Sequence, residues 1–221
     1  MPESWQSGDY AAAWAAEDVM APLLETPRQI SAALVADAGL EVGHVVDLGS
    51  GPGAYLGYML ETFPGARGTW VDGSPAMLEM AKPALAPFGE RVTFVVDQLE
   101  ELDPRAFAPA DVVVSSRALH HLSHASLAEV YRALAAALTP GGFVFNLDHV
   151  GSPDDYWHGA YRRVREQFIG RRRNRLQPHR QDGPLPPATA HLESMTAAGL
   201  VYADVPWRFL MTALLVARKP G

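Results

Sequence analysis

From Ala32 to Leu147, short β-rich runs alternate with stretches whose apolar residues recur every three or four positions. That alternation predicts a parallel sheet with crossover helices. GHVVDLG is the first strand. In AYLGYMLETF, the residues Leu56, Met59, Leu60 and Phe63 fall at helical spacing. ARGTWVDG is the second strand. SPAMLEMAKPAL opens a helix with Ser74 as N-cap and Pro75 at the first helical position, and Pro83 distorts or ends it. RVTFVVD and ADVVVSS are the third and fourth strands. Ser123 caps a helix with Leu127, Val130, Tyr131, Leu134 and Leu138 on its inner face. TPGG reads as a turn and FVFNLDH as the fifth strand.

After Val150 the pattern breaks. Residues 151–187 hold glycines, prolines, aromatics and an arginine cluster, with a helix expected near Trp157 to Gly170 and a loop ending in PLPP. A helix around Ala188 to Ala198 stops at Gly199, a C-cap signal. VYADVPWRFL and MTALLVARK then read as two antiparallel strands, although no Gly or Asn-Gly marks a turn between them. Residues 1–27, with Trp5, Tyr10 and Trp14, read as a helical lid. The whole, residues 1–221, is expected to be one domain, with 151–187 as an insertion over an acceptor pocket.

Composition narrows the class. Hydrophobic residues make up 48% of the 221 positions, enough for one substantial core. There is no cysteine, which excludes disulfides and thiolate metal sites. The first twenty residues carry acids but no Lys or Arg, unlike a secretory or mitochondrial leader. No apolar run approaches the roughly 18–20 residues of a membrane span. A cytoplasmic protein is the expectation. A net charge of −7 argues against a general nucleic-acid binder, yet YRRVREQFIGRRRNRLQPHR is strongly basic.

The candidate chemistry begins with VVDLGSGPGAY. A loop from a buried strand to a helix N-terminus offers free N–H groups and the positive end of the helix dipole. Glycine lets the backbone approach a ligand closely. Gly49, Gly51 and Gly53 therefore fit a ligand cradle, and also a tight turn with nothing bound. The motif is not specific: GSGPGA satisfies the relaxed dinucleotide fingerprint too. Asp72, about 20 residues on, suits the paired ribose hydroxyls of either ligand. A Walker loop is excluded, because no Lys-Ser/Thr follows.

VVDLGSGPG, WVDGSPAML, FVVDQLEEL, DVVVSSRALHHL and LTPGGFVFNLDH occur in that order. Together they closely resemble the class I methyltransferases dependent on S-adenosylmethionine (SAM), in the small-molecule branch, over residues 30–150. The resemblance implies an α/β fold: a doubly wound, Rossmann-like, mostly parallel seven-stranded sheet, with an antiparallel strand near the C-terminus and helices on both faces. It implies SAM as cofactor and S-adenosylhomocysteine (SAH) as product. Asp47, Gly49, Ser50, Gly51 and Gly53 would lie against the methionine part and Asp72 would take the ribose hydroxyls. Gly73 departs from the apolar residue usual there, leaving a looser slot. Met77 would pack on the adenine, Asp97 and Gln98 would bond its edge, and Ser115 and Ser116 would stand where the methyl meets its acceptor.

Methyl transfer from a sulfonium is an in-line displacement, so the protein mainly aligns the partners and excludes water. A base is needed only for an acceptor protonated at neutral pH. His121, Asp148 and His149 are the candidates at the carboxyl edge of the sheet, with His120 beside them; no metal is expected. The arginine cluster is a solvated helix face, a site for an anionic acceptor, or an RNA contact. The expected function is methylation of a small molecule at O or N rather than C. The alternatives are an RNA base methyltransferase and a non-catalytic SAM/SAH-binding regulator.

Overall fold

The computed structural model describes residues 20–169 and 185–221. A 3-10 turn at Ala21–Leu24 leads into α1 (Glu25–Asp37). Then come β1 (His44–Leu48), α2 (Ala54–Thr62), β2 (Arg67–Val71), α3 (Pro75–Leu85), β3 (Val92–Val95) and β4 (Ala110–Ser116). They are followed by α4 (His124–Ala137), β5 (Leu138–His149), α5 (Asp155–Ile169), α6 (Ala188–Ala197), β6 (Val201–Phe209) and β7 (Thr212–Arg218). The seven strands form one sheet in the order β3-β2-β1-β4-β5-β7-β6. β1 to β5 pair in parallel, and β7 runs antiparallel between β5 and β6.

Both faces of the sheet are covered, so the central strands are apolar throughout. Consecutive side chains go to opposite layers. Val46 and Val113 join a core with Leu127, Val130, Tyr131 and Leu134 of α4. Val45, Val112 and Val114 join the other, with Tyr55, Leu56 and Met59 of α2 and with Trp70. The predicted caps form: Ser74 Oγ accepts from Met77 N and Ser123 Oγ from Ser126 N.

Three local expectations change. Pro83 does not end α3, which continues to Leu85 before tightening into a 3-10 stretch at Ala86–Arg91. TPGG is not a turn before a separate strand. Leu138 already pairs with Ala110, and the register shifts before Phe143 pairs with Val112, so residues 139–142 bulge out of one long strand. Gly142 has to be bare there, since a Cβ would come 2.8 Å from the Asp111 carbonyl oxygen. The β6–β7 hairpin turns without glycine. Phe209 pairs with Thr212, leaving Leu210 in the left-handed region at φ 54°. Arg208 Nε donates to Leu210 O, and Val150 N to Met211 O, anchoring that turn.

Of the expected lid, residues 1–19 lie outside the described residues, while Met20 and Leu24 are buried in the core. The two ends of the 151–187 segment meet: Gly151 bridges to Pro187 and donates to the Pro186 carbonyl. No helix among the described residues is long and apolar enough to cross a membrane.

Candidate functional site

The sheet order reverses direction at β1 and β4, and the carboxyl ends of β1, β2 and β4 open on one cleft there. Its open space is about 700 Å³. Gly49, Ser50 and Gly51 after β1, Asp72, Gly73 and Met77 after β2, Leu99 after β3, and Ser116, Arg117, Ala118 and His121 at the end of β4 line it. Arg28 of α1 and Tyr55 of α2 line it too.

The three loop glycines are bare for different reasons, although all have positive φ. A Cβ on Gly49 would lie 2.2 Å from Ala118 Cβ, so this glycine lets β1 and β4 loops touch. Gly53 is the left-handed N-cap of α2, and its Cβ would meet Leu85 Cδ1 at 2.8 Å; it serves helix packing and does not line the cleft. Only at Gly51 does the missing side chain open ligand space, with Met77 Sδ 3.8 Å from where a Cβ would stand.

Asp47 lies behind the loop, fully buried and off the cleft. Its Oδ2 accepts from Ser50 Oγ (2.7 Å) and Leu56 N (3.1 Å), tying the loop to the start of α2. Its Oδ1 has no partner among the described residues. Burial pushes this carboxyl up to about 7. An acid whose folded pKa exceeds its unfolded value favours folding while protonated, so stability falls as pH rises from about 4 through 7. Asp47→Asn removes the titration. Its stability relative to the parent is expected to rise by on the order of 2 kcal/mol between about pH 5 and pH 8. Urea unfolding at both pH values reads this; parallel pH dependences would refute it.

Asp72 faces the cleft at 5% exposure. Oδ2 accepts from Gly51 N (2.9 Å) and Oδ1 from Ser74 N (2.8 Å), while burial raises its pKa. An ionised carboxylate has about four acceptor positions, so lone pairs remain for two hydroxyls. The slot beside Gly73 is not loose as expected. The Gln98 amide lies over it, with Nε2 donating to Gly73 O at 3.2 Å, and a Cβ on Gly73 would meet that nitrogen at 2.5 Å.

Neither Asp97 nor Gln98 lines the cleft; Leu99 does. Asp97 Oδ1 accepts from Gln98 N, an ordinary turn bond. Ser115 is turned into the sheet, donating to Leu48 O at 2.8 Å, whereas Ser116 reaches the cleft with an Oγ that has no partner among the described residues.

The candidate bases separate as well. His121 lines the cleft. Its ring lies 4.0 Å from that of His120, which lies 5.0 Å from that of His149. Asp148 is fully buried and surrounded by donors: His120 Nδ1 at 2.6 Å, His120 N at 2.8 Å and His149 N at 2.8 Å. Burial alone would raise its carboxyl, but the charge and hydrogen bond of His120, aided by His149 and His191, hold it down at about 2. Asp148 therefore positions His120 and does not take a proton itself. Burial and the His120 charge lower His149, leaving it a neutral ring at pH 7. No cluster of three or more metal-ligating side chains occurs among the described residues.

Sequence reasoning missed Arg28, Tyr55, Leu99 and Arg117. Leu99 had a signal, as the apolar residue two beyond Asp97. The others enter from α1, from the inner face of α2 and from a strained backbone position, with no local pattern to mark them.

The residues fit a nucleoside with an amino-acid tail. Met77 and Leu99 give apolar walls for a flat base, Asp72 suits ribose, and the bare Gly51 admits a chain close to the backbone. Residues 45–142 match the model of a family described as "Methyltransferase domain". A trans-aconitate 2-methyltransferase of Paracidovorax citrulli is 36% identical over 124 residues, covering 56% of this chain and 44% of that protein. One from Streptomyces avermitilis is 29% identical over 211 residues, 92% of this chain and 69% of that protein. The chain thus spans between about half and two thirds of these relatives' length. An O-methyltransferase family protein of Burkholderia thailandensis shares the fold, with a TM-score of 0.73 at 21% identity over 97% of this chain and 60% of that one. The five ordered motifs, this sheet order and the residues lining the cleft all agree with that methyltransferase-domain match over residues 45–142.

Proposed function

We propose that the protein methylates a small organic acid at a carboxylate oxygen. The observation that carries this reading is the β4 side of the cofactor cleft. There Arg117 and His121 join Ser116, so cationic and polar groups meet the space where an acceptor must lie. The names of the curated relatives, which specify trans-aconitate, point to the same acceptor class.

SAM supplies a methyl group already activated on positive sulfur. The chain's own residues do the rest. Asp72 and the Gly49–Gly51 backbone would hold the cofactor. His121 and Ser116 would stand beside the acceptor and could donate hydrogen bonds that orient it. The apolar walls of Met77, Leu99 and Ala118 exclude water, which favours a step that neutralises charge. A carboxylate is ionised at neutral pH, so no base is required.

A second reading has a hydroxyl acceptor, with His121 as its base. It draws on the placement of His121 in the cleft wall, beside a His120 held by Asp148. The two are separated by one variant. Purified protein with SAM is offered trans-aconitate, citrate and a panel of phenols, and methylated products are read by mass spectrometry. On a carboxylate, His121→Ala is expected to keep turnover within about tenfold. On a phenol it should lose about 10²–10⁴-fold, the usual worth of a general base. Tight SAH binding without product from either pool would leave a non-catalytic binder, and a methylated RNA base would restore the nucleic-acid reading.

A further inference from the structure

Arg117 is held in a conformation that its residue type disfavours. Its φ is 55°, in the left-handed region, where Cβ crowds the backbone and glycine is the natural occupant. The strain is fixed at the carboxyl end of β4, where Arg117 N donates to Leu147 O of β5 at 3.0 Å. Such outliers persist where the surroundings enforce them, and they gather at ligand sites. An arginine kept where glycine would be easier implies a task for its side chain, and the residue lines the cleft.

Its place in the cleft is specific. Asp72 follows β2 and Arg117 follows β4, on opposite sides of β1. With strands about 4.8 Å apart, the anionic and cationic walls are separated by roughly 10 Å. The cleft is therefore polarised, negative for sugar hydroxyls at one end and positive at the other. The positive end extends toward β5. Leu147 O of β5 accepts from Arg117 N there. Guanidinium is the side chain best matched to a carboxylate, through paired N–H donors.

We propose that Arg117 forms a carboxylate-binding subsite at the β4 side of the cleft, anchoring one carboxylate of an acceptor carrying at least two, so that another is presented for methylation. This deepens the functional reading above and rests on it for the acceptor. The subsite chemistry itself is carboxylate recognition, which the methionine carboxylate of the cofactor shares. Monocarboxylates without a second anionic group would bind poorly, since they cannot satisfy both the anchor and the reacting position.

The test uses Arg117→Gly and Arg117→Lys in the full chain. Calorimetry measures SAH first, then trans-aconitate, citrate and a monocarboxylate on the SAH-loaded protein. Arg117→Gly is expected to melt at the parent's temperature or above it, because glycine relieves the strained backbone. It should nevertheless lose at least tenfold in tricarboxylate affinity, well beyond any loss of SAH affinity. Arg117→Lys, which keeps the charge but not the paired donors, should lose severalfold. Lost SAH affinity with tricarboxylate binding intact would keep the subsite and assign it to the cofactor's carboxylate. If Arg117→Gly binds SAH and every carboxylate within twofold of the parent, or if the parent binds no carboxylate and the variant binds SAH normally, the subsite is refuted. Tricarboxylate binding without any methyl ester would sink the proposed function while leaving the subsite. Methyl ester formed from a tricarboxylate at the parent's affinity and rate by Arg117→Gly would do the reverse.

Discussion

Replacing Asp148 by alanine is expected to destabilise the protein by about 3–5 kcal/mol, the cost of removing one member of a buried charged pair. In a chain of this size that lowers the melting temperature by roughly 10 °C. The effect is large because one carboxylate serves three donors. His120 Nδ1, His120 N and His149 N all end on it, and neither His120 nor Asp148 is more than 5% exposed. Alanine leaves a buried imidazole and two buried N–H groups with nothing in the carboxylate's place. Asp148→Asn separates shape from charge, since its amide oxygen can accept from one or two of these donors but its NH₂ faces the others. An intermediate loss is expected.

The pH dependence carries a second signature. An acid held below its unfolded pKa, here at about 2 against 3.8, stabilises the fold above the unfolded value, and that contribution is lost as pH falls through the folded one. About 2 kcal/mol of the parent's stability should therefore disappear between about pH 5 and pH 2, and Asp148→Asn should lack that component. Chemical denaturation across this range measures both. A variant melting within about 2 °C of the parent would show that the pair is not what holds the β4 and β5 ends together.

How much of this was legible in the chain depends on the range of the interaction. The order of strands and helices was readable because burial on both faces leaves short apolar runs between helical periodicities. Ser74, Ser123 and Gly199 marked ends by local chemistry alone. The TPGG segment misled because its glycines give a turn signal, while the decisive contact, Leu138 against Ala110, spans distant sequence. Leu210 gave no signal, since its left-handed turn is enforced by Arg208 and Val150 and not chosen by its own residue type.

The same division holds at the cleft. The Gly49–Gly51 loop, Asp72, Met77, Ser116 and His121 were named from the chain and do meet around one cavity. Asp47, Gly53, Asp97 and Ser115 were named with them but stand behind it, because sequence spacing locates a strand end without saying which way a side chain turns. Arg28 and Arg117 went unnamed because only the fold brings them there.

Asp72→Ala is expected to weaken SAH binding by about 10–100-fold, from the loss of charge-assisted hydrogen bonds worth about 1.5–3 kcal/mol. The number alone would not prove contact with the ligand, because Asp72 has two jobs. Its oxygens accept from Gly51 N and Ser74 N, so alanine also frees the glycine loop and the α3 cap. A loosened loop would weaken every ligand alike. Direct contact with the ribose would weaken only ligands whose hydroxyls reach the carboxylate.

The distinction is a double cycle with the parent and Asp72→Ala as proteins, and SAH and its 2′,3′-dideoxy analogue as ligands. If the carboxylate holds the ribose, the parent should prefer SAH by at least tenfold and the variant should show almost no preference. The coupling is then the ribose contribution itself, free of any loop effect common to both ligands. If the variant discriminates as well as the parent does, Asp72 only braces the loop, and the hydroxyls are read elsewhere in the cleft. The melting temperature resolves the remaining part: a drop of a few degrees in the unliganded variant measures the bracing, and the coupling measures the recognition.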